Sequence, residues 1–287
     1  MKKLIALLLI LVLAFSFAAC GEDEKKVQSD NQDVSNPATD DDGTGLVILD
    51  ESLAPEEYGI GFRKEDTALC YAVEAALVQL KEDGTMAQSS EKWFGEDKSI
   101  FDSDADVANV DVATLPNPFK LGLDDAFPPM GYQNDQGEII GFDIDLAQAV
   151  CDYYGIQLEC VPVIWDTKDI ELTAGNIDCI WNGLTITEDR LEGYCMSKPY
   201  LSNRQVVVVA ANSGINTLND LAGKRVALQS DSSASEALEA NEEVNASIAD
   251  KVELTENLSA LLELQAGSVD AVVMDEVVAR YVLSNEL

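Results

Sequence analysis

The 287-residue chain is 47% hydrophobic and 7% aromatic, enough apolar surface to bury a sizeable core that at this length is expected to form two lobes or domains. Its 53 acidic residues against 18 basic ones give a formal net charge of -35, which excludes nucleic acid and anionic lipid surfaces as partners, because phosphate contacts need clustered lysine and arginine. The chain has no histidine, so Ser-His-Asp and Cys-His catalytic arrangements and imidazole metal sites are excluded, and neither a cofactor nor a metal is expected.

Lys2 and Lys3 precede an apolar run over residues 4–15 that is too short for a comfortable membrane span and ends in small residues before Cys20. Phe17, Ala18, Ala19 and Cys20 resemble the lipobox of bacterial lipoproteins. That resemblance implies a signal peptide over residues 1–20, cut before Cys20, whose thiol then carries the lipid. An ordinary cleaved signal peptide is the alternative, and both imply export. Residues 21–44 are acidic and polar and read as a flexible tether. Five further cysteines, Cys70, Cys151, Cys160, Cys179 and Cys195, include no Cys-x-x-Cys spacing. They read as buried small hydrophobes with at most one or two bridges.

Folded structure is expected from residue 46. Residues 46–49 and 58–62 read as strands, 66–82 as a helix with apolar positions at Leu69, Ala72, Val73, Ala76 and Leu80, and 85–93 as a second helix after the Asp83-Gly84 stop. Some fifty residues of this kind are too few for a domain of their own, so this block completes another. A polar connector follows over 102–118. Next come a strand at 119–123, a helix at 142–154, a strand at 158–164, a helix at 168–174 and a strand at 177–181. After a β-branched run at 205–211, a second alternating series has strands at 225–229, 252–254 and 271–274, with helices from Ser233, from Leu258 and up to Tyr281. Such alternation predicts mostly parallel sheets flanked by helices in two α/β lobes. Ligands bind such sheets beyond the carboxyl ends of the strands, where Arg190, Ser232 and Asp275 fall.

The stretch NGLTITEDR at 182–190 reads as strand end, turn and helix start, with Thr187 as N-cap. Gly183 lets backbone approach a ligand, Thr185 and Thr187 offer hydroxyls, and Arg190 presents a fork of donors that fits a carboxylate. These are the parts of a carboxylate receptor. The competing reading is a solvated arginine on a surface helix, paired with a nearby acid.

Residues 115–287 resemble the front part of the type 3 bacterial extracellular solute-binding proteins of amino-acid ABC transporters. The resemblance runs through DDAFPPMGY (124–132), GFDIDL (141–146), GNID (175–178), NGLTITEDR (182–190), SKPY (197–200), LAGK (221–224) and VDAVVMD (269–275). Residues 46–95 resemble the back part of the same family, through PEEYGIG (55–61), DGT (83–85) and KWFG (92–95). The reversed order implies a circularly permuted, two-lobe, periplasmic-binding-protein-like (type II) α/β fold. Lobe 2 is then expected over 45–57 and 205–287 and lobe 1 over 58–204, with hinges near 56–58 and 200–204 and the new chain ends in a loop beyond Leu283.

Carried over from the family, Arg190 is expected to grip a ligand α-carboxylate, with Gly183 and Thr185 beside it, and Asp275 to take the α-ammonium. Ser232 and Ser233 add donors on closure, Phe127 and Trp165 bracket the ligand side chain, and Asp124 lines the same end. Asp231 stands where many members carry glycine, and either favours a cationic ligand side chain or faces solvent. Tyr132 and Trp181 read as structural. The resemblance implies a monomeric, lipid-anchored, extracytoplasmic protein, not an enzyme, that hands an amino acid to an ABC permease. The rival is an exported dehydratase-like enzyme on the same fold, acting on a small cyclic carboxylic acid.

Overall fold

The computed structural model describes residues 45–285. The signal segment, Cys20 and the tether therefore lie outside the described residues, and no helix among the described ones is long and apolar enough to cross a membrane. The chain runs β1 (Leu46–Arg63), α1 (Thr67–Glu82), α2 (Thr85–Phe94), β2 (Phe119–Leu123), β3 (Ala126–Phe127), β4 (Gly131–Gln133), β5 (Ile139–Ile140), α3 (Phe142–Tyr154), β6 (Leu158–Pro162), α4 (Lys168–Ala174), β7 (Cys179–Thr185), α5 (Glu188–Gly193) and β8 (Tyr194–Met196). It continues through β9 (Leu201–Ala210), β10 (Arg225–Gln229), α6 (Ser233–Ala240), α7 (Glu242–Ser247), β11 (Asp250–Leu254), α8 (Asn257–Gln265), β12 (Ala271–Asp275) and α9 (Glu276–Ser284).

Among the described residues nine strands join in one mixed sheet in the order β11-β10-β12-β9-β1-β7-β2-β6, with β8 also paired to β1, and β3-β4-β5 form a separate small sheet. Parallel pairs sit at each end, β10 with β11 and β2 with β6. The middle is antiparallel: β12 pairs β9, β9 pairs β1, and β1 pairs β7. The expectation of mostly parallel sheets thus holds for the two ends. It fails at the centre because β1 and β9 run against each other through both halves. Two separate strands are expected at 46–49 and 58–62, whereas one continuous strand is found, with register shifts between Ile48 and Ala54 where the paired ladder slips.

Leu46 pairs Ala210 at one end of β1, and Phe62 pairs Cys179 near the other. Leu49 shares a buried cluster with Val207, Val226, Ala271 and Val273, so the first segment of the folded chain packs with β10 and β12. Leu77 and Met86 of α1 and α2 lie in the largest core cluster, which spans both halves of the sheet from Phe119 and Trp181 to Val272 and Met274, and both helices pack against α3. Those two helices therefore complete the β2-β6-β7 half. The five described cysteines are free thiols, three of them buried, so the small-hydrophobe reading applies and none forms a bridge among the described residues. The connector carries two short 3-10 turns, and its preceding Phe101 is fully buried.

Candidate ligand-binding site

β7 is buried along its whole length and runs on to Thr185, so the turn expected after residue 181 is instead a strand bent at Gly183. Gly183 has φ +58°, and a Cβ there would stand 2.9 Å from Cε1 of Phe127, so only glycine keeps both the bend and the aromatic wall. Its N–H donates to Asp143 Oδ2 at 2.8 Å. That carboxyl, at the start of α3, is pushed up to about 7 by complete burial, partly offset by the nearby Tyr200, Gly183 and Trp181 donors.

Past the strand, Thr187 caps α5 as expected, its Oγ1 accepting from the Arg190 N–H. The cap turns Arg190 inward. Its side chain is buried, donates from Nη1 to the Thr185 carbonyl at 2.9 Å, and points to a cleft that it lines with Gly183 and Asn182. Among the described residues no carboxylate forms an ion pair with it, which removes the solvated surface reading. Thr185 itself is one layer back: its hydroxyl meets Ser233 Oγ at 3.1 Å, and it does not line the cleft.

The facing wall comes from the ends of β10 and β12. Asp275 is buried and accepts from the Tyr58 hydroxyl at 2.5 Å and from Asn203 Nδ2 at 2.8 Å. Burial first, and the neighbouring Glu56 second, raise its carboxyl well above the usual range. Ser232 and Ser233 open α6 and line the same cleft, Ser232 tied back to the Gln229 carbonyl at 2.7 Å. Asp124, at the end of β2, accepts from the Ala126 N–H at 2.9 Å and from Gln229 Nε2 at 2.7 Å, and burial raises it too. Phe127 and Trp165 form the apolar wall, and the Trp165 indole N–H donates to the Asp231 carbonyl at 3.1 Å.

The structure thus brings together every expected site residue among those described except Thr185, and adds two amides, Asn182 and Gln229. Asn182 Oδ1 accepts from the Asp124 N–H at 3.1 Å, while its Nδ2 is buried beside Gly131 with no partner among the described residues. The cleft is narrow and partly open to solvent, and it combines a few polar anchors with an apolar wall, the make-up of a small-molecule site. The cleft lining holds two acids, Asp124 and Asp275, and one guanidinium, Arg190. No cluster of metal-ligating side chains is present among the described residues.

The sequence profile of the bacterial extracellular solute-binding proteins, family 3, matches residues 18–96 and 119–261. The L-cystine-binding protein TcyJ of Escherichia coli K12 is 30% identical over 161 residues, 55% of this chain and 59% of that protein. The histidine-binding periplasmic protein of the same strain is 32% identical over 168 residues, 58% of this chain and 64% of that protein. The chain thus spans about three fifths of the length of these curated relatives. Among solved structures, a substrate-binding protein of an ABC uptake transporter from Streptococcus pneumoniae with bound histidine superposes with TM-score 0.57 at 39% identity, over 57% of this chain and 68% of that one. An ancestral arginine-binding protein bound to arginine gives TM-score 0.53 at 35% identity, over 56% and 71% respectively.

Proposed function

Because the chain belongs to the bacterial extracellular solute-binding proteins, family 3, we propose that it captures a free amino acid between two lobes and delivers it to an ABC importer. The observation that carries this reading is a cleft that holds a buried guanidinium and, facing it, a buried carboxyl. Among the described residues Arg190 pairs with no carboxylate and Asp275 with no cation, and both line one cavity. A zwitterion supplies the missing partner for each. Gly183 and Ser232 supplement the carboxylate and ammonium anchors, and Phe127 with Trp165 sandwiches the side chain.

Asp124 is a further buried acid with only neutral donors around it, so the charge balance favours a ligand whose side chain carries a positive charge. Two relatives bear on this: one binds histidine by name, and one solved neighbour holds arginine.

In this reading lobe 1 spans 58–204 and lobe 2 joins 45–57 to 205–287. The hinge lies where Glu56 pairs Asn203 and Tyr58 pairs Leu201. Packing of Leu49 with Ala271 and Val273, and the gap at 97–118 between the two profile matches, both support a circularly permuted order. The protein works as a monomer outside the cytoplasm, held to the membrane by a lipid on Cys20 at the end of the 21–44 tether.

Isothermal calorimetry with L-arginine, L-histidine and neutral amino acids tests the reading. Arg190→Ala and Asp275→Ala are each expected to lose roughly a hundredfold in affinity, since each leaves a buried charge unpaired. Ser232→Ala is expected to cost about 1 kcal/mol. A deaminated analogue should be penalised less by Asp275→Ala than the amino acid is. Loss of amino-acid affinity in Arg190→Ala with none in Asp275→Ala would show that the ammonium is not read, and the dehydratase-like alternative would then lead.

A further inference from the structure

Outside the cleft lining, one charged pair joins the two walls. Lys168, the first residue of α4, is only 2% exposed. Its ammonium lies 5.1 Å from the Trp165 ring centroid and pairs with the Asp231 carboxylate, the only ion pair it makes among the described residues. Asp231 sits in the loop between β10 and α6 with φ +51°, the only non-glycine residue with positive φ among those described. A glycine would fit that backbone at lower cost. The same residue's carbonyl accepts the Trp165 indole N–H at 3.1 Å, and the preceding Ser230 donates to Asp166 Oδ1 at 2.7 Å. Lys168, Asp166 and Trp165 thus hold residues 230–231 from three directions, and the next residue, Ser232, lines the cleft.

We propose that Lys168 and Asp231 form a clasp across the mouth of the cleft: positioning residues that set how long a ligand is held without touching it. The inference rests on the ligand-capture reading of the same cleft. It turns on an asymmetry in burial. The Lys168 side chain is 3% exposed and the Asp231 side chain 55% exposed. Removing the lysine leaves an aspartate that water can solvate, whereas removing the aspartate strands an ammonium inside the closed wall. The aspartate therefore matters more than the lysine, although the backbone at 231 favours glycine.

The test uses the full chain with L-arginine as probe, followed by stopped-flow tryptophan fluorescence, and amide hydrogen exchange over residues 230–233. Lys168→Met is expected to speed release roughly fivefold with little change in association. Asp231→Gly is expected to speed it roughly hundredfold. The double variant should behave like Lys168→Met, because no stranded charge remains. A purely local structural role would instead make the two changes additive or make the glycine variant the milder one, and either result overturns the clasp. Hydrogen exchange is read on the protein as purified and separates the two proposals. Failure to bind L-arginine or any other amino acid counts against the ligand reading alone. Exchange at 230–233 that stays equal in wild type and both single variants overturns the clasp whatever the chain binds.

Discussion

The protein partners of Asp275 are a hydroxyl, an amide and a neighbouring acid, with no cation among the described residues. Burial and Glu56 disfavour its charged form, so the carboxyl keeps its proton to higher pH than an ordinary aspartate. An arriving ammonium reverses that preference, lowers the pKa and expels the proton. Binding near neutral pH should therefore release up to about one proton per ligand, and affinity should rise with pH through the ligand-free titration of Asp275. Calorimetry in buffers of different ionisation heat measures this. Release that vanishes in Asp275→Asn supports the assignment, and proton uptake in the wild type contradicts it. At this scale the sequence was informative where chemistry is concentrated. Arg190, Asp275, Asp124 and the two aromatics all reach one cleft. Gln229 was missed because an amide closing a strand carries no pattern of its own, although its place three residues before Ser232 put it at the right sheet edge. The Glu56 contact to Asn203 was missed for a different reason: it joins residues 147 apart that only the pairing of β1 with β9 brings together.

Among the elements, α3 begins and ends at the residues its apolar spacing indicates. Its second residue, Asp143, props up β7 at Gly183. With a folded pKa of about 7 against an ordinary 3.8, the native state holds this proton longer than the unfolded chain does. The associated stability is fully present below the unfolded pKa, declines as pH rises from there to about 7, and is flat above it. The span corresponds to at most on the order of 4 kcal/mol. Asp143→Asn should remove this slope, so urea midpoints at about pH 4.5 and about pH 7.5 should differ less than in wild type. A variant with the wild-type slope would show that the carboxyl is ionised in the native state throughout. Helices with clear stripes and strands with β-branched runs were legible in the sequence. The hairpin strands β3 and β5, two residues each, were too short to carry a period. The unity of β1 was hidden by Asp50, Glu51 and Pro55, which read locally as a break and are tolerated because the strand's pairing shifts register there.

For the whole molecule, contacts from both walls to one ligand favour the arrangement in which the walls meet, in proportion to the difference in affinity between the two states. Solution scattering should therefore show a smaller radius of gyration with saturating ligand than without. An unchanged profile at saturation would argue against a closing clamp. The walls meet through Thr185 and Ser233, Asp124 and Gln229, and Tyr132 and Tyr281, whose hydroxyls lie 2.8 Å apart.

The long antiparallel pairing of β1 with β9 has a consequence for dissecting the molecule. Each strand gives its first part to one half of the sheet and its last part to the other, so a boundary drawn between the halves cuts through both strands. A gene fragment for residues 58–204 alone would encode a protein with a bare sheet edge, its ladder donors and acceptors open to any passing strand, and the other half is two separate stretches of chain. Such fragments should accumulate as aggregates. Co-expressed, the three pieces 45–57, 58–204 and 205–287 should rescue one another by rebuilding the seam, since each carries part of this ribbon.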